Sequence, residues 1–245
     1  MTLERVRILE NVSIAPDVCS MLVQAPIEAQ PGQFAMLYLD RGELLLPRPI
    51  SICDAADGTI RFVYQVVGTG TKILADKQPG EDIKILAPIG KGFHLGKNAR
   101  SAQKKVALVG GGIGTPPLLL LAKKLKQQGA QVDVYLGFRS SPFLTEDFKA
   151  VADNVHIATD DGNVGFHGNT IDLIKQQAET YDEFLACGPK PMLDALAACA
   201  AASGITCQLS MEERMACGLG TCVGCVLEIE GAYKRICTEG PVFYA

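Results

Sequence analysis

At 245 residues and 48% apolar, without tryptophan, the chain holds enough hydrophobic material for one large domain or two to three small ones. A net charge of −4 and the lack of any Lys/Arg run argue against a nucleic-acid partner. The opening MTLERVRILE is charged and the longest apolar stretches, such as PPLLLLA, are short, so no secretion signal and no membrane span are expected, and the setting is read as cytoplasmic.

Residues 1–98 read as β-rich. PGQFAMLYLD and GTIRFVYQVVG are strand-like runs broken at intervals by Pro and Gly turns, which predicts a small antiparallel barrel. Two short motifs stand inside it. RPIS, Arg48 to Ser51, ends one β-rich run, and VYQVVGTGT, Val63 to Thr71, follows one hairpin later. Alone, the first is a strand end and the second a turn. Together they suggest a site for a flavin carrying a diphosphate. Arg48 would supply a cationic fork for the pyrophosphate. Ser51 would reach the flavin ring, and Val63, Tyr64 and Gln65 would line it. Gly70 and Thr71 would offer backbone N–H groups and a hydroxyl to the phosphates.

At about residue 99 the pattern changes, and residues 99–205 read as α/β. VALVGGGIGTPPLLLLAKKL is a buried strand, a glycine turn and a helix. QVDVYLGFRS is a second strand, and YDEFLACGPKPMLDALAACAAASG is strand, turn and helix again, so a parallel sheet is expected. Gly110, Gly111, Gly112 and Gly114 would let backbone and a dinucleotide diphosphate come close, with Pro116 and Pro117 in the first helical turn. The match to G-x-G-x-x-G is imperfect, and no acidic ribose ligand ends the second strand. The turn at Cys187 and Gly188 suits the nicotinamide end of such a site. Cys187 is there either a pocket thiol or a buried small hydrophobe.

Residues 206–245 are too few for a core of their own and would need an inorganic staple. The stretch CGLGTCVGC supplies one. Cys217, Cys222 and Cys225 are spaced x4 and x2, with eleven further residues to Cys237, the plant-type [2Fe–2S] pattern. Two irons bridged by sulfide need four thiolates, and small residues let the loop curl around them. Zinc also takes four thiolates but favours paired C-x2-C knuckles, and one such pair is present. Cys19, Cys53, Cys199 and Cys207 read as small hydrophobes. The histidines, His94, His156 and His167, do not cluster in sequence.

In this order, RPIS, YQVVGTGT, GGGIGTPPL and CGPKPM resemble the ferredoxin–NADP reductase superfamily. The C-terminal MEERMACGLGTCVGC, with CTEGPVF after it, resembles the electron-transfer subunits of class 1B dihydroorotate dehydrogenases, and the resemblance spans essentially the whole chain. It implies an FAD barrel, an NAD-binding α/β domain and a small [2Fe–2S] domain. It implies a separate FMN-containing catalytic subunit, two of each in a heterotetramer, with electrons passing through [2Fe–2S] and FAD to NAD⁺ in pyrimidine biosynthesis. Many superfamily reductases have an aromatic residue at the third position of the flavin motif. Here Pro49 is followed by Ile50, so an aliphatic face would cover the ring. Flavin subunits of other NAD(P)H-linked complexes carry a similar C-terminal cluster and are the alternative within the superfamily.

Overall fold

The computed structural model describes residues 1–39, 44–96, 104–229 and 231–245. By internal contacts the chain divides into two compact units, residues 1–92 with 212–241, and residues 93–211 with 242–245. The boundary expected at residues 98–99 lies outside the described residues.

The first unit begins with β1 (Thr2–Ala15), β2 (Val18–Gln24), β3 (Phe34–Tyr38), β4 (Arg48–Ala56) and β5 (Thr59–Gln65). A helix, α1 (Thr69–Asp76), and β6 (Asp82–Ile89) follow. The strands close into an antiparallel barrel in the order β1-β2-β5-β4-β3-β6. Alternation explains the closure. On β5, Ile60, Phe62 and Tyr64 are buried while Thr59 and Arg61 are not. Asp57 and Gly58 both take positive φ, 50° and 75°, the backbone a two-residue hairpin between β4 and β5 requires. The barrel matches the sequence expectation, but α1 lies in a stretch read as all-β. Asn11 on β1 holds its C-terminal end, donating Nδ2 to the carbonyls of Leu74 (2.9 Å) and Lys77 (2.8 Å).

The second unit contains β7 (Lys105–Gly111), α2 (Pro117–Gln127), β8 (Gln131–Phe138), α3 (Thr145–Lys149), β9 (Asn154–Thr159) and β10 (Phe166–His167). It continues with α4 (Thr170–Gln177), β11 (Glu183–Cys187), α5 (Lys190–Ser203) and β12 (Thr206–Ser210). Val106 to Val109 are all buried, as expected of a strand covered on both faces. Leu118 to Leu121 pack from α2 as the run of leucines suggests.

Residues 212–241 rejoin the barrel unit through β13 (Val226–Ile229), β14 (Ala232–Arg235) and a single-turn helix, α6 (Ile236–Glu239). Gly218 approaches the barrel so closely that a Cβ there would lie 2.8 Å from Met36 Cγ. The carbonyl of Gly240 accepts from the N–H of Lys91. The last strand, β15 (Val242–Tyr244), completes the sheet of the second unit, ordered β10-β9-β8-β7-β11-β12-β15. All its pairings are parallel except β12 with β15. Both ends of the C-terminal segment, residues 206–211 and 242–245, thus belong to this sheet unit. No helix among the described residues is long and apolar enough to cross a membrane.

Candidate functional site

The glycine-rich loop brings its cysteines together in two pairs. The thiols of Cys217 and Cys222 are in hydrogen-bonding contact, and so are those of Cys225 and Cys237. Cys225 and Cys237 are buried, Cys217 is half-buried and Cys222 is exposed. The Thr221 hydroxyl, with the N–H groups of Leu219 and Cys222, donates to the Cys217 sulfur and pulls its thiol down to about 5. The Leu219 N–H lies 3.3 Å from that sulfur. Burial, followed by the neighbouring Cys225, pushes Cys237 up to about 11, and the N–H of Gly220 donates to it. Gly220 takes φ +80°, and a Cβ there would meet the Thr238 methyl at 2.7 Å. Among the described residues no three His, Cys, Asp or Glu side chains converge on one ion. Four thiols on one loop and the following turn are the ligand set of two irons, each needing two thiolates. Cys237 sits on α6, two residues beyond the end of the strand pair expected to present it.

On the barrel, RPIS opens β4, with Arg48, Pro49, Ile50 and Ser51 half-buried opposite Leu37, Met36, Ala35 and Phe34 of β3. Arg48 Nη1 donates to the Leu46 carbonyl at 2.6 Å. Its guanidinium lies against Gly70, where a Cβ would fall 2.2–2.4 Å from Nε, Nη2 and Cζ. Gly70 is in the first turn of α1, whose leading N–H groups have no intrahelical partner. A cation beside the positive end of a helix repels it, and an anion between the two removes the conflict. A diphosphate has the charge and acceptors for that place.

Thr71 differs from its expected part. Its hydroxyl accepts from the N–H of Val67 (2.9 Å) and Gly68 (3.2 Å) and donates to the Gly68 carbonyl (3.1 Å), closing the turn. Its backbone N–H is what it has to offer a ligand. Tyr64 points into the barrel, where its hydroxyl donates to Asn11 Oδ1 at 3.0 Å and burial raises its pKa. Val63 is buried beside it, and Gln65 is exposed. A cavity of about 660 Å³ opens next to Arg48, walled by residues 46–49 on one side and 212–215 on the other. The second wall had no signal in sequence. It depends on how residues 212–241 return to the barrel.

In the second unit the two glycine turns meet. A Cβ on Gly114 would lie 2.5 Å from the Cys187 carbonyl oxygen and from Gly188, and one on Gly111 would lie 2.7 Å from Met192 Sδ. Gly112, at φ +52°, has open space around it. These turns follow β7 and β11, adjacent parallel strands between which the strand order reverses. In open α/β sheets that crevice is where nucleotides bind. Cys187 is buried opposite Gly110, and the hydroxyl of Thr115 is buried without a hydrogen-bond partner. The opposite, N-terminal ends of these strands are occupied by structural charge. There Asp133 is buried and bonded to Asn154 (2.8 Å) and Tyr181 (3.0 Å), with Lys105 3.6 Å away.

A family model described as the iron-sulfur cluster binding domain of dihydroorotate dehydrogenase B matches residues 212–245. The chain is 41% identical over 253 residues to the dihydroorotate dehydrogenase B (NAD(+)), electron transfer subunit, of Geobacillus thermodenitrificans (strain NG80-2), covering 99% of this chain and 96% of that one. With the protein of the same name from Clostridium acetobutylicum it is 38% identical over 237 residues, 97% and 93% of the two chains. Among solved structures, that of an NADH-dependent reduced ferredoxin-NADP oxidoreductase superposes with a TM-score of 0.87 at 28% identity, covering 98% of this chain and 87% of that one. A ferredoxin NADP+ reductase from Neisseria gonorrhoeae, with bound FAD and NADP, shares the fold at a TM-score of 0.67 and 17% identity, covering 83% and 92%.

Proposed function

The chain belongs to the family of dihydroorotate dehydrogenase B (NAD(+)) electron transfer subunits, and from that premise we propose that it passes electrons from a catalytic partner subunit through [2Fe–2S] and FAD to NAD⁺, in pyrimidine biosynthesis. The observation that carries the reading is the gathering of four thiols in the same compact unit as the close approach of Arg48 to Gly70. When bound, the cluster supplies single-electron passage and FAD exchanges single electrons for hydride.

The chain's own residues hold and orient. Cys217, Cys222, Cys225 and Cys237 are the cluster ligands in this reading. Arg48 and the first-turn N–H groups of Gly70 and Thr71 take the FAD diphosphate, with residues 49–51 and the backbone of residues 63–65 beside the ring. Gly111, Gly112 and Gly114, with Cys187 and Gly188 across the crevice, receive NAD. Hydride exchange between two aligned rings needs placement rather than a general base, and no side chain is given that role. The partner in this reading carries FMN and oxidises dihydroorotate, two copies of each subunit forming a heterotetramer. The setting is cytoplasmic, since thiolate ligands need a reducing compartment.

The reading is tested by co-expression with the catalytic subunit, followed by flavin, iron and sulfide analysis. Two irons, two sulfides and one FAD per chain, with NADH formed from dihydroorotate, are expected. Electron exchange with ferredoxin instead of a dihydroorotate-oxidising partner would favour the alternative that the 28%-identical structure raises.

NAD⁺ is expected to be preferred over NADP⁺. A 2′-phosphate pocket is usually built on arginine beyond the second strand, and after β8 there is Arg139 with Ser140 and Ser141. A higher kcat/KM with NADP⁺ would refute this.

Leu219 and Val223 on the cluster loop are exposed, at 46% and 63%, and uncharged, which lets another surface come close to the ligands. Leu219→Lys keeps the backbone N–H that bonds Cys217 but puts a charge where a partner would have to bury it. Cluster and FAD content are expected to stay, while complex assembly and dihydroorotate-to-NAD⁺ turnover fall. Unchanged assembly on the same preparation would move the partner surface elsewhere.

A further inference from the structure

The loop that bears three of the cysteines and the turn that bears the fourth are joined at Gly220. Its N–H donates to the Cys237 sulfur. Its carbonyl accepts from Nη1 of Arg235 at 3.3 Å. Arg235 precedes α6, and Glu239 ends it. Through Nε the same guanidinium pairs with Glu239 at 3.3 Å, and the Glu239 carboxylate also accepts the backbone N–H of Arg235 at 2.9 Å. Lys234 stands 3.7 Å from the other carboxylate oxygen. The backbone adds one bond between the two pieces, from the Ile236 N–H to the Cys225 carbonyl at 3.0 Å.

We infer that Arg235, clasped to Glu239, is a positioning residue for the cluster loop and sets the reduction potential of the cluster it holds. The inference rests on the cluster reading above. Its geometry depends on a fork. One guanidinium reaches a loop carbonyl and a carboxylate at the same time, from two different nitrogens, which a lysine ammonium on a single stem does not reproduce. Fixing Gly220 keeps its N–H on the Cys237 sulfur, and such bonds to ligand sulfur tune a cluster. The charge has a second effect. Reduction adds an electron to an already negative group, so a nearby cation favours it and an anion opposes it. Arg235 and Glu239 largely cancel, and removing either one unmasks the other.

Three variants of the full chain, Arg235→Gln, Arg235→Lys and Glu239→Gln, separate clasp from charge. They are prepared anaerobically and compared for iron and sulfide content, iron release to a chelator, and cluster potential by EPR-monitored titration. Arg235→Gln is expected to lower the potential and to speed iron release about three- to tenfold. Glu239→Gln is expected to raise the potential. In each case the ratio of reduced to oxidised cluster at fixed poise should change about two- to fivefold, the range of an exposed pair, and less at high salt. Arg235→Lys should release iron like Arg235→Gln, with a potential between that of Arg235→Gln and wild type, because it keeps the charge and loses the clasp. Simple loosening of the loop would speed iron release in every variant without moving the potentials of Arg235→Gln and Glu239→Gln in opposite directions. Shifts of the same sign, or none, in protein whose wild type holds two irons would overturn the inference and spare the cluster reading. A wild type holding zinc in place of iron would overturn both.

Discussion

Replacing Cys237 with serine is expected to remove the cluster's visible spectrum and, with it, delivery of electrons from the partner subunit, while FAD stays bound. Cys237 is buried at 2% exposure and shares its place with Cys225. A serine hydroxyl keeps the size but not the soft thiolate that iron takes, and the pair then offers one thiolate to an iron that needs two. The loss of iron affinity should exceed the roughly 10- to 100-fold seen when a metal's outer partners are removed. The consequence reaches the fold. Among the described residues from 212 to 241 the buried apolar side chains are those of Ile236, Pro241 and the two cysteines, too little to hold the segment without its staple. Limited proteolysis should therefore cut this variant between residues 212 and 241 while the barrel survives. Iron and sulfide assays with absorbance spectra on anaerobic protein decide the matter. A full complement of both would remove Cys237 from the ligand set.

Arg48→Ala and Gly70→Ala are each expected to weaken FAD binding roughly 10- to 100-fold, the worth of a charge-assisted phosphate contact of about 1.5–3 kcal/mol. The two act on one contact. Arg48→Ala deletes the guanidinium, and Gly70→Ala puts a methyl 2.2 Å from the place its Nε occupies. The guanidinium is the free end of a long side chain and can swing away, so Gly70→Ala should not harm the fold. Alanine for glycine inside α1 should even stabilise it by up to about 1 kcal/mol. A protein that melts no lower yet loses its flavin is the expected result. The double variant should bind FAD no more weakly than Arg48→Ala alone, because the shared contact can be lost only once. Calorimetric FAD affinities of the single and double variants check this. Additive losses would show that Gly70 serves the flavin by another route.

Much of this architecture was readable before any tertiary contact was known, because it rests on short-range chemistry. Four thiols spaced x4, x2 and eleven describe a curled loop and a returning fourth ligand whatever surrounds them. The alternation of Ile60, Phe62 and Tyr64 marks a barrel strand, and the buried run from Val106 to Val109 before a glycine turn marks a parallel one. What stayed hidden depends on partners distant in the chain. Alpha-helix α1 follows a glycine turn with no acidic first turn and no side-chain cap of the usual kind, and Asn11 of β1 secures its far end, so local pattern pointed to strand and turn. The expected hydroxyl of Thr71 is taken up by its own turn. Cys217 to Cys237 announce a cluster, but the contact of Cys237 with Cys225 follows from where α6 packs. Glycines at 70 and 114 read as making room for phosphates, and nothing in the sequence signals the protein groups packed against them. Their necessity comes from Arg48 and Gly188, brought against them by barrel closure and by the pairing of β7 with β11. Residue spacing carries the chemistry of a ligand set, because ligands on one loop are bound by chain length. The close approaches that aim those ligands come from the closing of sheets, which joins positions no local pattern connects.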